Sequence, residues 1–305
     1  MSKSKTGRPV VFGEVLFDMF PGGESILGGA PFNVAWHLQG FGLEPVFISR
    51  IGMDINGEKI LEQMQTWGME TGGMQWDRLH PTGKVEINLS NGQPSFNILP
   101  EQAYDYIDPD LATRTLAGKK CSLLYHGSLI SRSSGSRDAL IQLHDNIDLP
   151  VFLDINLRSP WWDMPLIEKQ LSTARWAKMN VDELIRIAPG GKNGADKLEE
   201  VARRLCLKHK LDTLLVTCGA KGSFLIKTGQ APVSGSAIKV PDLVDTVGAG
   251  DAFSAVMMIA LIRQWPPDLA LGRAGEFAAE ICRRCGATLP DREIYQQYKA
   301  KWMEI

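Results

Sequence analysis

Residues 242–258 read DLVDTVGAGDAFSAVMM: small, glycine-rich residues run into an acid and then into a long apolar segment. Gly248 and Gly250 free the backbone for tight turns, and DAFSAVMMIALIRQW, from Asp251 onward, is long and apolar enough for a buried helix. Asp251 is therefore expected in the first turn of that helix. One reading is local: Asp is a favoured N-cap, and glycines before helices are ordinary loop chemistry. The other begins from the unpaired N–H groups at a helix N-terminus, which attract phosphate. A carboxylate beside a phosphate site is electrostatically unfavourable unless it removes a proton from the group attacking that phosphate, the task of a general base. The second reading needs a hydroxyl substrate, a nucleotide and a metal to be served elsewhere in the chain.

The chain has 305 residues, 44% hydrophobic and 22% charged, as expected of one large α/β domain or two smaller ones. A formal net charge of -2 provides no basic field for a nucleic-acid backbone or an anionic membrane, so neither is an expected partner. The start, MSKSKTGRPVVFGEV, lacks the apolar core of a signal peptide, and the apolar run at residues 252–262 is too short to span a bilayer. The expected location is the cytoplasm. Cys121, Cys206, Cys218, Cys282 and Cys285 form no secreted disulfide framework. Cys282 and Cys285 have C-x-x-C spacing but fall at the end of a helical pattern, where the dipole opposes a thiolate, so both read as structural. His37, His80, His126, His144 and His209 show no metal-ligand spacing.

Strand-like runs (VVFGEVLF, EPVFISRI, SLLYHGSLI, VFLDINL, RWAKMNV, TLLVTCG, SFLIKT) alternate with helix-like segments such as NVAWHLQGF, INGEKILEQMQTWG, RDALIQLHDNI and DKLEEVARRLCLKH. That alternation predicts a mostly parallel sheet covered by helices on both faces. Residues 83–99, GKVEINLSNGQPSFNIL, break the pattern with two extended segments around Asn91-Gly92, a hairpin signal. Such an insertion is either a structural edge or a flap that keeps water from reactive phosphates, and the flap is the preferred reading. No linker or internal repeat divides the chain, so a single domain with a small β lid is expected.

A G-x-x-x-x-G-K-[ST] phosphate loop is absent, and GAGDAF lacks the third glycine of the dinucleotide fingerprint. GGKNGADK (190–197) reads as a solvated loop. GEVLFD (13–18), GGAPFNVAWHLQGFG (28–42), DINLR (154–158), NVDE (180–183), VTCGAKG (216–222) and DTVGAGDAF (245–253) together resemble the ribokinase-like, or PfkB, family of carbohydrate kinases, in order and spacing. The resemblance runs from about residue 10 to about residue 290 and is nearest to bacterial fructokinases. It implies a ribokinase-like three-layer α/β/α sandwich with a mostly parallel central sheet. A small β-sheet lid would come from parts of about 14–30 and 83–99, with sugar beneath it and ATP along the strand ends.

On that resemblance Asp251 is the base toward a primary hydroxyl of the sugar, and the amides of Gly248, Ala249 and Gly250 form the anion hole. Asp18, expected at the end of the first strand, joins Gly28, Gly29 and Asn33 as sugar contacts. The local alternative is that Asp18 solvates a strand end and Asn33 caps a helix. Arg158 would hold a substrate oxygen or the moving phosphate, against the alternative of a surface arginine. Asn180 and Glu183 match an N-x-x-E motif that organises Mg²⁺ largely through water. Thr217, Gly219 and Gly222 resemble the nucleotide-side loop and also suit a β-turn. Asp245, Val247 and Gly286 match the places where some relatives bind K⁺ through backbone oxygens. No adenine contact is assigned, because the asparagine often seen near GEFAAEICRRCGA is missing. Trp161 and Trp162 either wall the site or pack.

The implied activity is transfer of the γ-phosphate of ATP to a sugar, with fructose to fructose 6-phosphate foremost. Alternatives are a kinase for 2-keto-3-deoxygluconate, ribose, tagatose phosphate or a nucleoside, and a sugar-binding sensor without chemistry. Relatives often dimerise through lid strands, so a homodimer is an accompanying expectation.

Overall fold

A computed structural model describes residues 7–90, 93–189 and 197–303. In chain order its strands begin with β1 (Arg8–Phe12), β2 (Leu16–Met19), β3 (Ser25–Gly28), β4 (Val46–Gly52), β5 (Met74–Asp77), β6 (Gly83–Ser90) and β7 (Gln93–Ile98). They continue with β8 (Cys121–Gly127), β9 (Val151–Asp154), β10 (Trp176–Asn180), β11 (Thr213–Thr217), β12 (Ser223–Lys227) and β13 (Val233–Gly235). The helices are α1 (Ala30–Gly40), α2 (Ile55–Trp67), α3 (Pro109–Leu116), α4 (Ser134–Asn146) and α5 (Met164–Thr173). They are followed by α6 (Val181–Ile187), α7 (Leu198–Lys208), α8 (Ala249–Arg263), α9 (Pro267–Ile281) and α10 (Arg292–Met303).

Two compact units emerge. The first comprises Arg8–Cys121, Ile130–Asp148 and Thr288–Ile305. Its parallel strands β1, β4 and β5 are neighbours in that order, with Val10 opposite Val46 and Arg50 opposite Gln75. Helix α1 packs on β1 and β4, and α2 and α3 pack on β4. A separate four-stranded sheet has the order β3-β2-β6-β7, parallel only between β2 and β6. It is built from the two segments expected to supply a lid. Its β6–β7 pairing brings Ser90 opposite Gln93, the register a two-residue turn demands. Asn91-Gly92 itself lies outside the described residues, as does GGKNGADK apart from Lys197. An aromatic cluster fixes α10 to this unit: Trp36 stacks on Trp67 at 4.6 Å, and Phe41 lies against Tyr295 and Trp302.

The second unit comprises, among the described residues, Gly7, Ser122–Leu129 and those of Leu149–Ala287. Its sheet runs β8-β9-β10-β11-β12-β13, parallel from β8 to β11 and antiparallel beyond. Leu153, Ile167, Met179, Leu184, Val201, Leu214 and Ile226 belong to one buried core of this unit, where helices α5, α6 and α7 meet strands β9 to β12. The expected mostly parallel strands with packed helices are therefore found.

One expectation changes. VVFGEVLF is two strands, β1 and β2, in different sheets, because Gly13, Glu14 and Val15 leave the first sheet while staying buried. Asp18 accordingly sits in β2, opposite Ile26 and Val85, and does not end the first strand.

Candidate active site

Helix α8 starts at Ala249, two residues before the expected acid. Its N-cap is Gly248, at φ 78°, and no side chain caps it. A side chain at Gly248 would overlap Cα and Cβ of Ala287, so both conformation and space require glycine there. Asp251 is the third helical residue and not the N-cap, in the first turn, where an acid also complements the helix dipole. The first intrahelical bond runs from Ala252 N–H to the Gly248 carbonyl at 2.9 Å, so the preceding amides have no helical acceptor. Of these, Ala249 N–H donates to the Thr246 carbonyl across a long 3.3 Å. Residues 252–260 are all buried, which anchors the helix behind its N-terminus.

Beneath this start lies a buried polar cluster. Lys178 of β10 donates to both carboxylate oxygens of Asp154 on β9, at 3.0 and 3.1 Å. The same carboxylate accepts from Ser254 Oγ of α8 at 2.6 Å and from the Tyr125 hydroxyl of β8 at 3.1 Å. Burial alone would push the Lys178 ammonium down, but Asp154 and then Asp251 hold it above the ordinary lysine value, so it remains a cation.

The N-x-x-E motif is a capping box at the end of β10. Asn180 Oδ1 accepts from Glu183 N–H at 2.9 Å, while Glu183 Oε2 accepts from Asn180 N–H at 2.8 Å. Glu183 Oε1 also accepts from Leu157 N–H at 3.1 Å. Burial raises the Glu183 pKa, although those amide hydrogen bonds work against the shift. Among the described residues no group of three or more His, Cys, Asp and Glu side chains is arranged to enclose a metal ion.

Asn180, Thr217, Gly219, Gly222, Ala249 and Gly250 line one cavity of about 490 Å³. Its far wall is apolar: Ile238, Val240, Leu243, Phe253, Ala278, Ala279 and Cys282. A second space, about 780 Å³, lies against Asn180, Asp182, Lys197, Thr217, Gly219 and Lys221. Thr217 ends β11, and the turn after it is closed by Cys218 N–H to the Gly222 carbonyl at 2.8 Å. Asp245 draws the other three-residue set together, accepting from Val247 N–H at 3.0 Å and from Gly286 N–H at 3.5 Å. Arg158 stands apart as an exposed residue that lines neither cavity. Trp162 packs against the buried core of the second unit.

In the first unit the remaining residues form their own group. Asp18 Oδ2 would lie 3.2 Å from a side-chain carbon on Gly28, the residue at the end of the neighbouring strand. Gly29 is the N-cap of α1 at φ 105°, where a side-chain carbon would come within 2.7 Å of the Glu14 carbonyl oxygen. Asn33 lies inside α1, 5% exposed, its N–H donating to the Gly29 carbonyl at 2.9 Å; it does not cap the helix.

Comparison with known proteins places this geometry. The pfkB family carbohydrate kinase model matches residues 21–294. The chain belongs to that family. PfkB carbohydrate kinases are phosphotransferases with an alcohol group as acceptor, and this chain is one of them. A fructokinase of Klebsiella pneumoniae is 28% identical over 292 residues, covering 92% of each chain. A fructokinase of Xylella fastidiosa solved with bound ATP superposes with a TM-score of 0.83 at 21% identity, covering 98% of this chain and 99% of that one. A 2-dehydro-3-deoxygluconokinase of Thermotoga maritima gives 0.82 at 14% identity over 96% and 99%. The fold is thus the ribokinase-like α/β fold of PfkB kinases, with its smaller separate sheet.

Two groups escaped sequence reasoning. Lys178 lies in the apolar run WAKMNV and reads as an outward-facing strand residue until strand register sets it opposite Asp154. The apolar wall from Ile238 to Cys282 is scattered over more than forty residues. No spacing rule gathers it, and of the exposed loop residues Leu243, Val244 and Val247 only Leu243 lines the cavity.

Proposed function

We propose that this PfkB kinase transfers the γ-phosphate of ATP to the 6-hydroxyl of fructose, with Asp251 as general base. The observation that carries the reading is the helix start at residues 248–251. Helical amides without helical acceptors, a carboxylate in the same turn and a cavity lined by Ala249 and Gly250 occur together. Asp251 takes the hydroxyl proton as the sugar oxygen bonds to the γ-phosphorus and ADP leaves. The amides of Gly248, Ala249 and Gly250 receive the charge that spreads over the migrating phosphoryl group, the Ala249 amide giving up its long bond to Thr246.

Thr217, Gly219 and Gly222 are assigned to ATP, and the apolar wall of Ile238, Leu243, Phe253 and Ala278 to its base, a flat apolar group that such a wall suits. The fructokinase solved with ATP supports a nucleotide here. Both oxygens of Glu183 already accept amide hydrogen bonds, so the donor set suits a hydrated Mg²⁺ held through water by Asn180 and Glu183. When bound, Mg²⁺ neutralises phosphate charge. The carbonyls of Asp245, Val247 and Gly286 are assigned to K⁺, supported by their assembly around one carboxylate. Asp18, Gly28, Gly29 and Asn33 are assigned to the sugar, Arg158 to a substrate oxygen, and the four-stranded sheet to the lid of a single kinase domain. Its edge strands suit a homodimer. Five free thiols suit the reducing cytoplasm.

Fructose is preferred because the full-length relative from Klebsiella pneumoniae is a fructokinase. ADP release measured with fructose, 2-keto-3-deoxygluconate, ribose, tagatose phosphate and a nucleoside tests the choice. The highest kcat/KM is expected with fructose, and a clear preference for another sugar replaces it. No turnover with any of them favours the sensor.

A further inference from the structure

Lys178 is 7% exposed, yet its amine ends against the loop assigned to the phosphoryl group. A side-chain carbon on Gly250 would sit 3.1 Å from Lys178 Nζ. The amine thus occupies room left by a residue without a side chain. Its partner Asp154 is shared: the carboxylate also accepts from Ser254, one turn into α8, and from Tyr125. Ser254 Oγ in turn lies 3.0 Å from the Gly250 carbonyl, a second acceptor within reach of its single hydroxyl proton. The ion pair is therefore tied to the first turn of α8 at two points, through Ser254 and beside Gly250. It is also oriented, with three donors gathered on the carboxylate and the positive end lying against the glycine loop.

We infer that Lys178 is a positioning residue for phosphoryl transfer: held by Asp154, it braces Gly250 and sets a fixed positive charge behind the 248–250 amides, acting on the migrating group through that loop. The inference rests on the assignment of the loop as the anion hole. A fixed charge in a water-poor site acts without reorganising when negative charge moves onto the phosphoryl oxygens. An ordinary buried ion pair, by contrast, would serve packing alone, and replacing both partners by neutral residues would leave function intact. The acids whose charges act on the amine are Asp154 of β9, in direct contact with it, and, without a direct contact, Asp251 of α8 and Glu183 of α6. Lys178 is the cation that balances them.

The test compares wild type, Lys178→Met and the double variant Asp154→Asn/Lys178→Met. The double variant removes both charges while an amide oxygen still accepts from Ser254, so it keeps the fold if the single change leaves a buried carboxylate unpaired. Expected are a melting transition of the double variant close to wild type, sugar and ATP KM values within about twofold, and kcat lower by about 10- to 100-fold, less than the roughly 10²–10³-fold loss of a direct oxyanion donor because Lys178 acts through the loop. A folded double variant with wild-type kcat overturns the inference, as does a kcat loss matched in KM. Failure of the underlying assignment looks different: Asp251→Asn or a disrupted 248–250 loop would then leave turnover unchanged in the wild-type background.

Discussion

The loop that opens α8 and the small sheet that carries Asp18 are fixed by different physics. Around Gly248 the chain is held by exclusion and by buried charge: a left-handed glycine against Ala287, a helix buried from Ala252 to Ala260 behind it, and Lys178 with Asp154 underneath. Around Asp18 the chain is held by backbone pairing of four short strands, with a half-buried carboxylate on β2. Exclusion recurs beside the small sheet only at particular glycines, Gly29 against the Glu14 carbonyl and Gly83 against Tyr104. That contrast separates the helix start assigned above to phosphoryl transfer from the strands assigned to the sugar.

The contrast is sharpest at Gly248. Gly248→Ala forces a left-handed alanine, costing roughly 1–2 kcal/mol, and drives a methyl into Ala287. A displaced loop of this kind is expected to lower kcat by at least about 100-fold, measured by coupled ADP release. On the sugar side, Asp18→Ala is expected to raise the sugar KM by about 10- to 100-fold through loss of charged hydrogen bonds, with ATP affinity unchanged in titration calorimetry. An equal loss of ATP affinity would erase the division between the two regions. Asn180→Ala removes an N-cap worth about 1 kcal/mol, so a fall of about 1–2 °C in melting temperature and a higher Mg²⁺ requirement should appear together.

The smallest effect concerns Asp77 at the end of β5. Burial would raise its pKa, but amide hydrogen bonds from His80 and Leu79, the His80 ring and the Arg50 charge hold it below the usual carboxylate range. A depressed folded value means that its stabilisation is present above the ordinary Asp pKa and is lost as pH falls through the folded one. Asp77→Asn should therefore flatten the decline in urea midpoint below about pH 4 while changing turnover little.

Much of the local structure at the helix start and at the N-x-x-E motif was legible because it is made by residues close in the chain. Gly248 to Asp251 are consecutive, Asn180 and Glu183 are three apart and form a capping box, and Asn91-Gly92 announced a hairpin whose strands pair in the expected register. What escaped depends on distance in the chain. Lys178 meets Asp154 across parallel strands 24 residues apart. The break after β1 was read through because VVF and VLF are both apolar and strand-like, and the Gly13-Glu14 pair between them is too short to mark a change of sheet. Arg158, read from the motif DINLR, is exposed and outside both cavities, because its motif ends in a loop whose direction no pattern specifies.

The base assignment is tested most directly by Asp251→Asn, assayed for turnover and, separately, for fructose binding by calorimetry. Turnover is predicted to fall by about 10²–10⁴-fold with binding retained. Wild-type turnover in a folded Asp251→Asn variant would contradict the account.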